Sequence, residues 1–442
     1  MRFNIIGVLL LSTLTFQAQE KYTFTLEEAI TFARENSYAM LDAHDDIEAA
    51  KKKVWETTTM GLPQVNGTVD YQNFLKQPVS LIPAEFFGGQ PGEFAEISFG
   101  TKHNMSASAT LSQLIFDGSY LVGLQSAQVY LKISESIKEK TDISIKQGVI
   151  NAYAGVLMTR EGIDILKKNK QNIEKLLFET REIIKSGFAE EQDAEQLALT
   201  LSSLDNQLQN LQRLEQYNLN MLKYVLGIPI ENNIQLTDKM EALAVLNSDL
   251  NILGQKFDYT THIDYKISEN SVQANKLLTK LEQSKALPSI GAFINYGVSA
   301  YGEKFKFFSN DQKWFGSSVF GVQISVPIFS SLQRTSRVQQ AKINLDKSER
   351  GKMETVEKLN LSYQLAKTNY ENALNTFNTA KESLKLAESI ERKENIKFKE
   401  GISGSFELNN AQIQLYGKQQ EFLQSIFDLI SKKAALENAL GR

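Results

Sequence analysis

Residues 61–72 read GLPQVNGTVDYQ and residues 286–297 read ALPSIGAFINYG, so one Leu-Pro pattern occurs twice at a spacing of 225. After each Leu-Pro pair, apolar and polar residues alternate, and this period of two is typical of a β-strand with one apolar face. A helical segment precedes each copy and ends at the proline. The sequence therefore predicts the same helix-to-strand transition at two places in one chain.

The repeat extends beyond these strands. Ile115-Phe116 recurs as Ile328-Phe329 at a spacing of 213, and Leu226-Gly227 recurs as Leu440-Gly441 at 214. A repeat of this length predicts a duplicated half-domain, because solenoid repeats have periods of about 20 to 50 residues. The spacing drops between the prolines and the Ile-Phe pairs, so the first hairpin carries the longer loop.

Each predicted hairpin has a return strand, over residues 105–116 in the first repeat and 320–328 in the second. Each strand is expected to have about 10 to 12 residues, which suits a tilted strand crossing a bilayer. The alternative is an ordinary sandwich hairpin with one face on a core. Six loop aromatics could form an interfacial girdle or pack within the loops: Phe86, Phe87, Phe307, Phe308, Trp314 and Phe315.

Long helices are the remaining signal. Residues 119–186 contain no proline, and so do residues 332–396, and Gly187 and Gly401 interrupt the two halves at equivalent positions. From residue 191 to 224, five leucines follow the 4-3-4-3 spacing of a left-handed coiled coil. They are Leu197, Leu201, Leu204, Leu208 and Leu211. Taken alone, the helices would also suit an ordinary long-helix bundle.

The start of the chain resembles a secretory signal peptide, with Arg2, an apolar run over residues 5–11, and small residues up to a cleavage point near Ala18. The alternative is a buried N-terminal helix or a membrane anchor. The domains expected are the signal peptide over 1–18, a first repeat over 19–230, a linker or equatorial segment over 231–260 and a second repeat over 261–442. The hairpins are expected at about 64–116 and 288–329, and the helix pairs at about 119–226 and 332–440.

Composition argues against several classes of function. The chain has no cysteine, which excludes disulfides and thiolate metal sites, and its net charge of -4 argues against a nucleic-acid partner. His44, His103 and His262 are scattered, and no nucleophile, phosphate-binding or metal motif is present. We therefore expect no enzymatic activity, no metal and no cofactor.

Several motifs occur in the same order in both repeats. With them the chain resembles the TolC-type outer-membrane factors, the outer membrane efflux protein family. They are TLEEAI at 25–30, GLPQVNG at 61–67 with ALPSIGA at 286–292, LSQLIFDGS at 111–119 with ISVPIFSS at 324–331, and AYAGVL at 152–157. The others are IIKSGFAEEQDAEQ at 183–196 with KFKEGISGSFELNNAQ at 397–412, and VLGIP at 225–229 with ALGR at 439–442.

This resemblance implies a mixed, mainly α fold. Long antiparallel coiled-coil helices would form a periplasmic α-barrel, and four transmembrane β-strands per chain would complete a 12-stranded β-barrel in a homotrimer. It implies a location in the Gram-negative outer membrane, extending into the periplasm. The partners implied are outer-membrane lipid, a periplasmic adaptor (membrane fusion) protein and an energised inner-membrane pump.

Physical reasoning independently requires oligomerisation. Four strands cannot close a barrel, since about eight are the fewest whose interior side chains can fill. Open strand edges in lipid would leave unpaired backbone groups, each costing several kcal/mol. Other copies of the chain must therefore complete the sheet, and the number three comes from the resemblance.

The family resemblance also implies a narrow aperture at the periplasmic helical turns. The turns are expected near Arg160, Glu161 and Asp164, and, 214 residues later, near Asn375, Thr376 and Asn378. Glu161 and Asp164 would form an acidic gate, so replacing both by Ala would lower cation preference. Alternatively these are solvated turn residues, with Arg160 and Asp164 paired on one helix face.

The function expected is a passive exit duct for efflux or type I secretion. The alternative is a periplasmic coiled-coil scaffold without a pore.

Overall fold

The computed structural model describes residues 21–442, and the signal peptide expected over 1–18 lies outside the described residues. The strands are β1 (Lys21–Phe24), β2 (Gln64–Asn73), β3 (Val79–Pro83), β4 (Phe94–Ser98), β5 (His103–Phe116), β6 (Asn233–Leu236), β7 (Ser289–Gly302) and β8 (Phe315–Ser325). The helices are α1 (Leu26–Asn36), α2 (Tyr38–Thr59), α3 (Gly118–Lys185), α4 (Glu191–Leu226), α5 (Met240–Asn247), α6 (Ile263–Ser284), α7 (Gln333–Lys399) and α8 (Ser405–Ala439).

The described chain forms two compact units. The sheet unit comprises Asp46–Glu135 and Ile267–Lys352, and the helical unit comprises residues 21–45, Ser136–Lys266 and Met353–Arg442. Each unit therefore contains segments from both sequence repeats.

The sheet unit is built on four antiparallel strands in the order β2-β5-β7-β8. The two sequence hairpins thus pair with each other through β5 and β7. Close packing is visible at Gly321, where an added Cβ would collide with the ring of Phe293 on the neighbouring strand. The alternating pattern therefore predicted the four long strands, and their single sheet agrees with the four strands per chain that the family resemblance implies.

The last strand is shorter than the sequence pattern predicted. Val326 and Ile328 were assigned to it, but β8 ends at Ser325. Pro327 has no N–H to donate to a ladder. The Arg334 guanidinium donates to the Pro327 carbonyl at 2.8 Å and to the Ile328 carbonyl at 3.3 Å.

The longer first loop contains a second, small hairpin that the sequence analysis did not predict. β3 and β4 pair antiparallel, with a short 3-10 turn over Ala84–Phe87 between them. Gly88 and Gly92 follow with positive φ values of 81° and 92°, which glycine adopts without steric cost. Loop 77–103 is therefore ordered as a hairpin of its own.

The helical unit begins with a capped helix. The Thr25 hydroxyl accepts from the Glu28 N–H, and the Glu28 carboxylate accepts from the Thr25 N–H at 2.8 Å, which makes a capping box. β1 pairs in parallel with β6, a contact between distant segments that the sequence did not predict. The buried Tyr153 hydroxyl donates to the Phe24 carbonyl and to Asp238, which fixes this strand pair on α3.

The coiled-coil seam predicted on α4 is confirmed. Leu197 and Leu204 are buried, and Leu201, Leu208 and Leu211 pack around the same apolar cluster. Leu166 and Ile173 of α3 and Leu408 of α8 are also in this cluster, so one core joins three long helices.

Candidate channel wall and helical turns

One face of the four-stranded sheet is apolar. Val65, Leu111, Ile294 and Phe320 face one another in a row that crosses all four strands. All four side chains are exposed in the chain. An exposed apolar row of this width indicates a surface that contacts an apolar environment or a partner.

The opposite face is polar and internally hydrogen-bonded. The Asn295 amide donates to the Thr110 hydroxyl at 2.7 Å, and the Thr68 and Ser108 hydroxyls lie 2.9 Å apart. Adjacent residues of one strand point to opposite faces. The sheet therefore separates an apolar side from a polar, water-compatible side.

Both edges of this sheet are unfinished within residues 21–442. β2 pairs only with β5, and β8 pairs only with β7. The outer edges of β2 and β8 therefore present rows of backbone N–H and C=O groups that can pair with another strand.

The loop aromatics divide between the two interpretations that the sequence left open. Phe307 is only 2% exposed and packs edge-on against Tyr71 and Phe305, with Trp314 nearby. The Tyr71 hydroxyl is hydrogen-bonded to His103 Nδ1 at 2.8 Å. The other five residues are exposed: Phe86, Phe87, Phe308, Trp314 and Phe315.

The predicted position of the helical turns is wrong. α3 is continuous from Gly118 to Lys185, and α7 is continuous from Gln333 to Lys399. The residues assigned to the turns therefore lie within these helices: Arg160, Glu161, Asp164, Asn375, Thr376 and Asn378. No residue between 119 and 185 is a helix-stopping proline, so nothing in the sequence ends α3 near residue 160.

In place of a turn, Arg160 and Glu161 make contacts inside the helical unit. Arg160 pairs with Glu215 of α4 at 3.1 Å rather than with Asp164. A carboxylate oxygen of Glu161 accepts from the Met240 N–H at 2.9 Å, at the start of α5. Burial raises the pKa of the Glu161 carboxyl above its ordinary value, and the neighbouring acids Glu241 and Asp164 add to the rise.

The other four residues of the predicted set are at the surface, and Thr376 is exposed among them. Asp164 and Asn378 are exposed, and Asn375 lines a groove between α7 and α8 with Lys418 and Asp428. The role of Glu161 and Asp164 at a constriction stays a prediction.

The helical turns are at residues 186–190 and 400–404. Gly187 and Gly401 have φ values of 79° and 72°, and each begins a hydrogen-bonded helix stop, with the N–H of the next residue bonded to a carbonyl five residues earlier. Phe188 and Ile402 follow these glycines and are 85% and 75% exposed. The repeated glycines carried the signal for both turns.

Two other kinds of site are absent from the described part of the chain. No group of three or more His, Cys, Asp or Glu side chains is arranged to hold a metal ion in residues 21–442. None of the helices in the same residues combines the length and apolar character needed to span a bilayer.

Known proteins share this architecture. Residues 268–442 match the family model for outer membrane efflux proteins. Outer membrane protein VceC from Vibrio cholerae has 15% sequence identity and a TM-score of 0.70, over 94% of this chain and 96% of VceC. No curated protein matches the sequence significantly.

Two further solved structures agree. CusC, described as forming a transmembrane channel, has 16% identity and a TM-score of 0.72, over 94% of this chain and 92% of CusC. The CmeC outer membrane channel of Campylobacter jejuni has 15% identity and a TM-score of 0.72, over 94% of this chain and 85% of CmeC. Residues 268–442 therefore resemble the outer membrane efflux protein family, and the described chain as a whole has the fold of these outer-membrane channel proteins.

Proposed function

We propose that this protein is a passive exit duct of the Gram-negative outer membrane, for efflux or type I secretion. The observation that carries the proposal is the amphipathic four-stranded sheet with two unfinished edges. Strands in lipid require a partner for every backbone polar group, so such a sheet suits a membrane only when other copies complete it.

The two faces of the sheet define its orientation in this proposal. The row of Val65, Leu111, Ile294 and Phe320 faces lipid, and the face with Asn295 and its neighbours lines the aqueous lumen. Three copies contribute twelve strands, in which β8 of one copy pairs with β2 of the next. The exposed loop aromatics then contact the membrane interface, where amphipathic rings are favoured.

The helical turns are the proposed docking end. A periplasmic adaptor would contact the exposed Phe188 and Ile402, and an energised inner-membrane pump would drive transport. The proposed duct is passive because the chain carries no nucleotide-binding motif of its own. We propose no catalytic activity.

The mass of the purified protein in mild detergent tests this proposal. We expect a trimer that needs detergent to stay dispersed, because the lipid-facing row is apolar. A monomer or dimer that is fully soluble without detergent would favour the periplasmic scaffold and overturn the duct.

A further inference from the structure

A pocket of about 300 Å³ opens on the polar face of the four-stranded sheet, at the end where β2 begins and where β5 and β8 end. It lies wholly within the sheet unit, and none of the residues around it carries a charge. Its size suits a small organic molecule. Its lining includes two residues that follow α2 and four strand residues: Met60, Leu62, Gln64, Ser112, Phe293 and Gln323.

The aromatic ring of Phe293 forms part of this pocket. One row across the sheet reads Gln64, Ser112, Phe293 and Gly321, so the ring belongs to the polar face. Gly321 has no side chain to displace the ring, and an added Cβ there would lie 2.5 Å from it. The ring therefore lies over Gly321, along the sheet, and presents apolar surface among amide and hydroxyl groups.

The fold does not require this ring or the methionine beside it. The repeat spacings of 225 and 213 relate the ring and its glycine to Thr68 and Ser108, whose hydroxyls lie 2.9 Å apart. The spacing of 225 also relates Met60 to Lys285. Polar side chains thus satisfy the equivalent positions of the same fold. The apolar pair of Phe293 and Met60 distinguishes this pocket from its counterpart, and such a difference indicates a role in binding.

Gln64 presents a hydrogen-bond acceptor that has no partner in the described chain. Its Nε2 donates to the Thr59 carbonyl at 2.9 Å and to the Leu62 carbonyl at 3.3 Å. Carbonyl oxygens only accept, so the amide cannot be reversed, and Oε1 stays an acceptor. The Gln323 side chain is exposed and makes no hydrogen bond within residues 21–442. The pocket therefore offers one fixed acceptor and one adaptable amide beside an apolar ring.

We propose that this pocket binds a small, uncharged aromatic molecule that carries a hydrogen-bond donor. The ring of the ligand packs on Phe293, and its edge contacts Met60 and Leu62. Its donor bonds to Gln64 Oε1, and the Gln323 amide bonds to its remaining polar group. This proposal rests on the proposed function: with the polar face toward the lumen, the pocket lies on the wall of the duct, where exported molecules of this class pass it.

The chemistry of the lining defines this class of ligand. An ion would lose hydration without a charged side chain to compensate it, so an uncharged molecule is favoured. Aromatic pairs prefer offset or edge-to-face contact, which the partly exposed Phe293 ring allows. A few polar groups beside apolar surface then fix the orientation of the ligand.

Photolabelling of the purified full chain in mild detergent tests the site. The probe is benzophenone-4-carboxamide, an uncharged aromatic amide with N–H donors. Under near-ultraviolet light its ketone carbon bonds to a nearby side-chain carbon, and the hydrogen of that carbon moves to the ketone oxygen. Mass spectrometry of the digested protein locates the label. We expect the label at Met60 or Leu62, with a yield that saturates as the probe concentration rises.

Two variants test the named contacts. Phe293→Ala removes the ring, and Gln323→Leu removes an amide that holds no contact in the described chain, so folding does not depend on it. We expect the probe to bind about 3- to 10-fold more weakly to each variant. The matched control Phe99→Ala removes an exposed ring from a loop of the same unit and should leave the labelling unchanged.

The outcomes distinguish this site from the duct itself. Labels that spread over the apolar face in proportion to probe concentration, with equal yields in all variants, would show partition into detergent only and overturn the site. A protein that conducts in bilayers but takes no label in the pocket overturns the site and leaves the duct standing. Saturable labelling of a chain that neither trimerises nor conducts contradicts the duct, and with it the place of this pocket on a duct wall.

Discussion

The side chains of neighbouring residues on β2 provide a test of which face of the sheet meets lipid. Val69 lies on the apolar face, and Thr68, beside it, lies on the polar face and contacts Ser108. We expect Val69→Lys to cost about 2 to 4 kcal/mol of stability in lipid, as charges on a lipid-facing strand do near the bilayer midplane.

The matched variant Thr68→Lys places the same charge on the polar face. It should lose only the contact with Ser108, which is worth about 1 kcal/mol. Urea unfolding of both variants in lipid vesicles gives the comparison. Equal losses for the two variants would mean that the apolar row does not face lipid.

Glu161 should make stability depend on pH. Its folded-state pKa is raised, so the folded state binds a proton more tightly than the unfolded state, and stability falls as the pH rises above 4.5. Glu161→Gln keeps an oxygen to accept the Met240 N–H but does not ionise. We expect the variant to be the more thermostable at pH 7 and equal to wild type in acid. A gap between variant and wild type that widens as the pH falls would refute this.

At the residue scale, the sequence showed which loop side chains are aromatic but not which of them are buried. Both interpretations that the sequence left open for the loop aromatics apply, since Phe307 is buried and Phe308 beside it is exposed. Phe305 contacts both rings, and Phe307 makes a further contact with Tyr71, which is distant in the sequence. Sequence alternation contains no information on such contacts.

Two glycines that end helices should differ in their tolerance of alanine. Gly187 and Gly227 both have positive φ, which costs alanine about 1 to 2 kcal/mol. Nothing lies near an added Cβ at Gly187, whereas at Gly227 it would collide with the Asn36 carbonyl oxygen. We expect Gly227→Ala to lose about 2 to 4 kcal/mol and Gly187→Ala about 1 to 2 kcal/mol.

Thermal and denaturant unfolding of the two variants checks this order. The Gly187→Ala variant serves as the control for the backbone penalty alone. A Gly187→Ala loss as large as that of Gly227→Ala would show that the contact with Asn36 is unimportant.

At the element scale, the helix boundaries followed from local signals where the signals were strong. Thr25 caps α1, as a threonine before a helix favours, and α4 ends at Leu226, which is the predicted end of the first helix pair. The long-helix turns were misplaced because they were expected near residue 160 and, 214 residues later, near residue 375, rather than at Gly187 and Gly401. The glycines, with their positive φ, are the physical cause of the turns.

At the scale of the whole molecule, the duplication could be predicted because both copies have nearly equal long helices and glycines at equivalent positions. The pairing of β1 with β6 was not readable, since it joins residues more than 200 positions apart in short strands. Neither strand has a long alternating pattern, so no local signal marks it. Tertiary contact with α3, through Tyr153, decides that part of the fold.

Single-channel conductance of the purified protein in planar bilayers tests the central claim most directly. A sheet with one lipid-compatible face and one polar face, completed by other copies, should enclose a water-filled path. We predict discrete conductance steps from the trimeric fraction. A detergent-solubilised protein that inserts into the bilayer but gives no steps, or one that never inserts, would contradict the account.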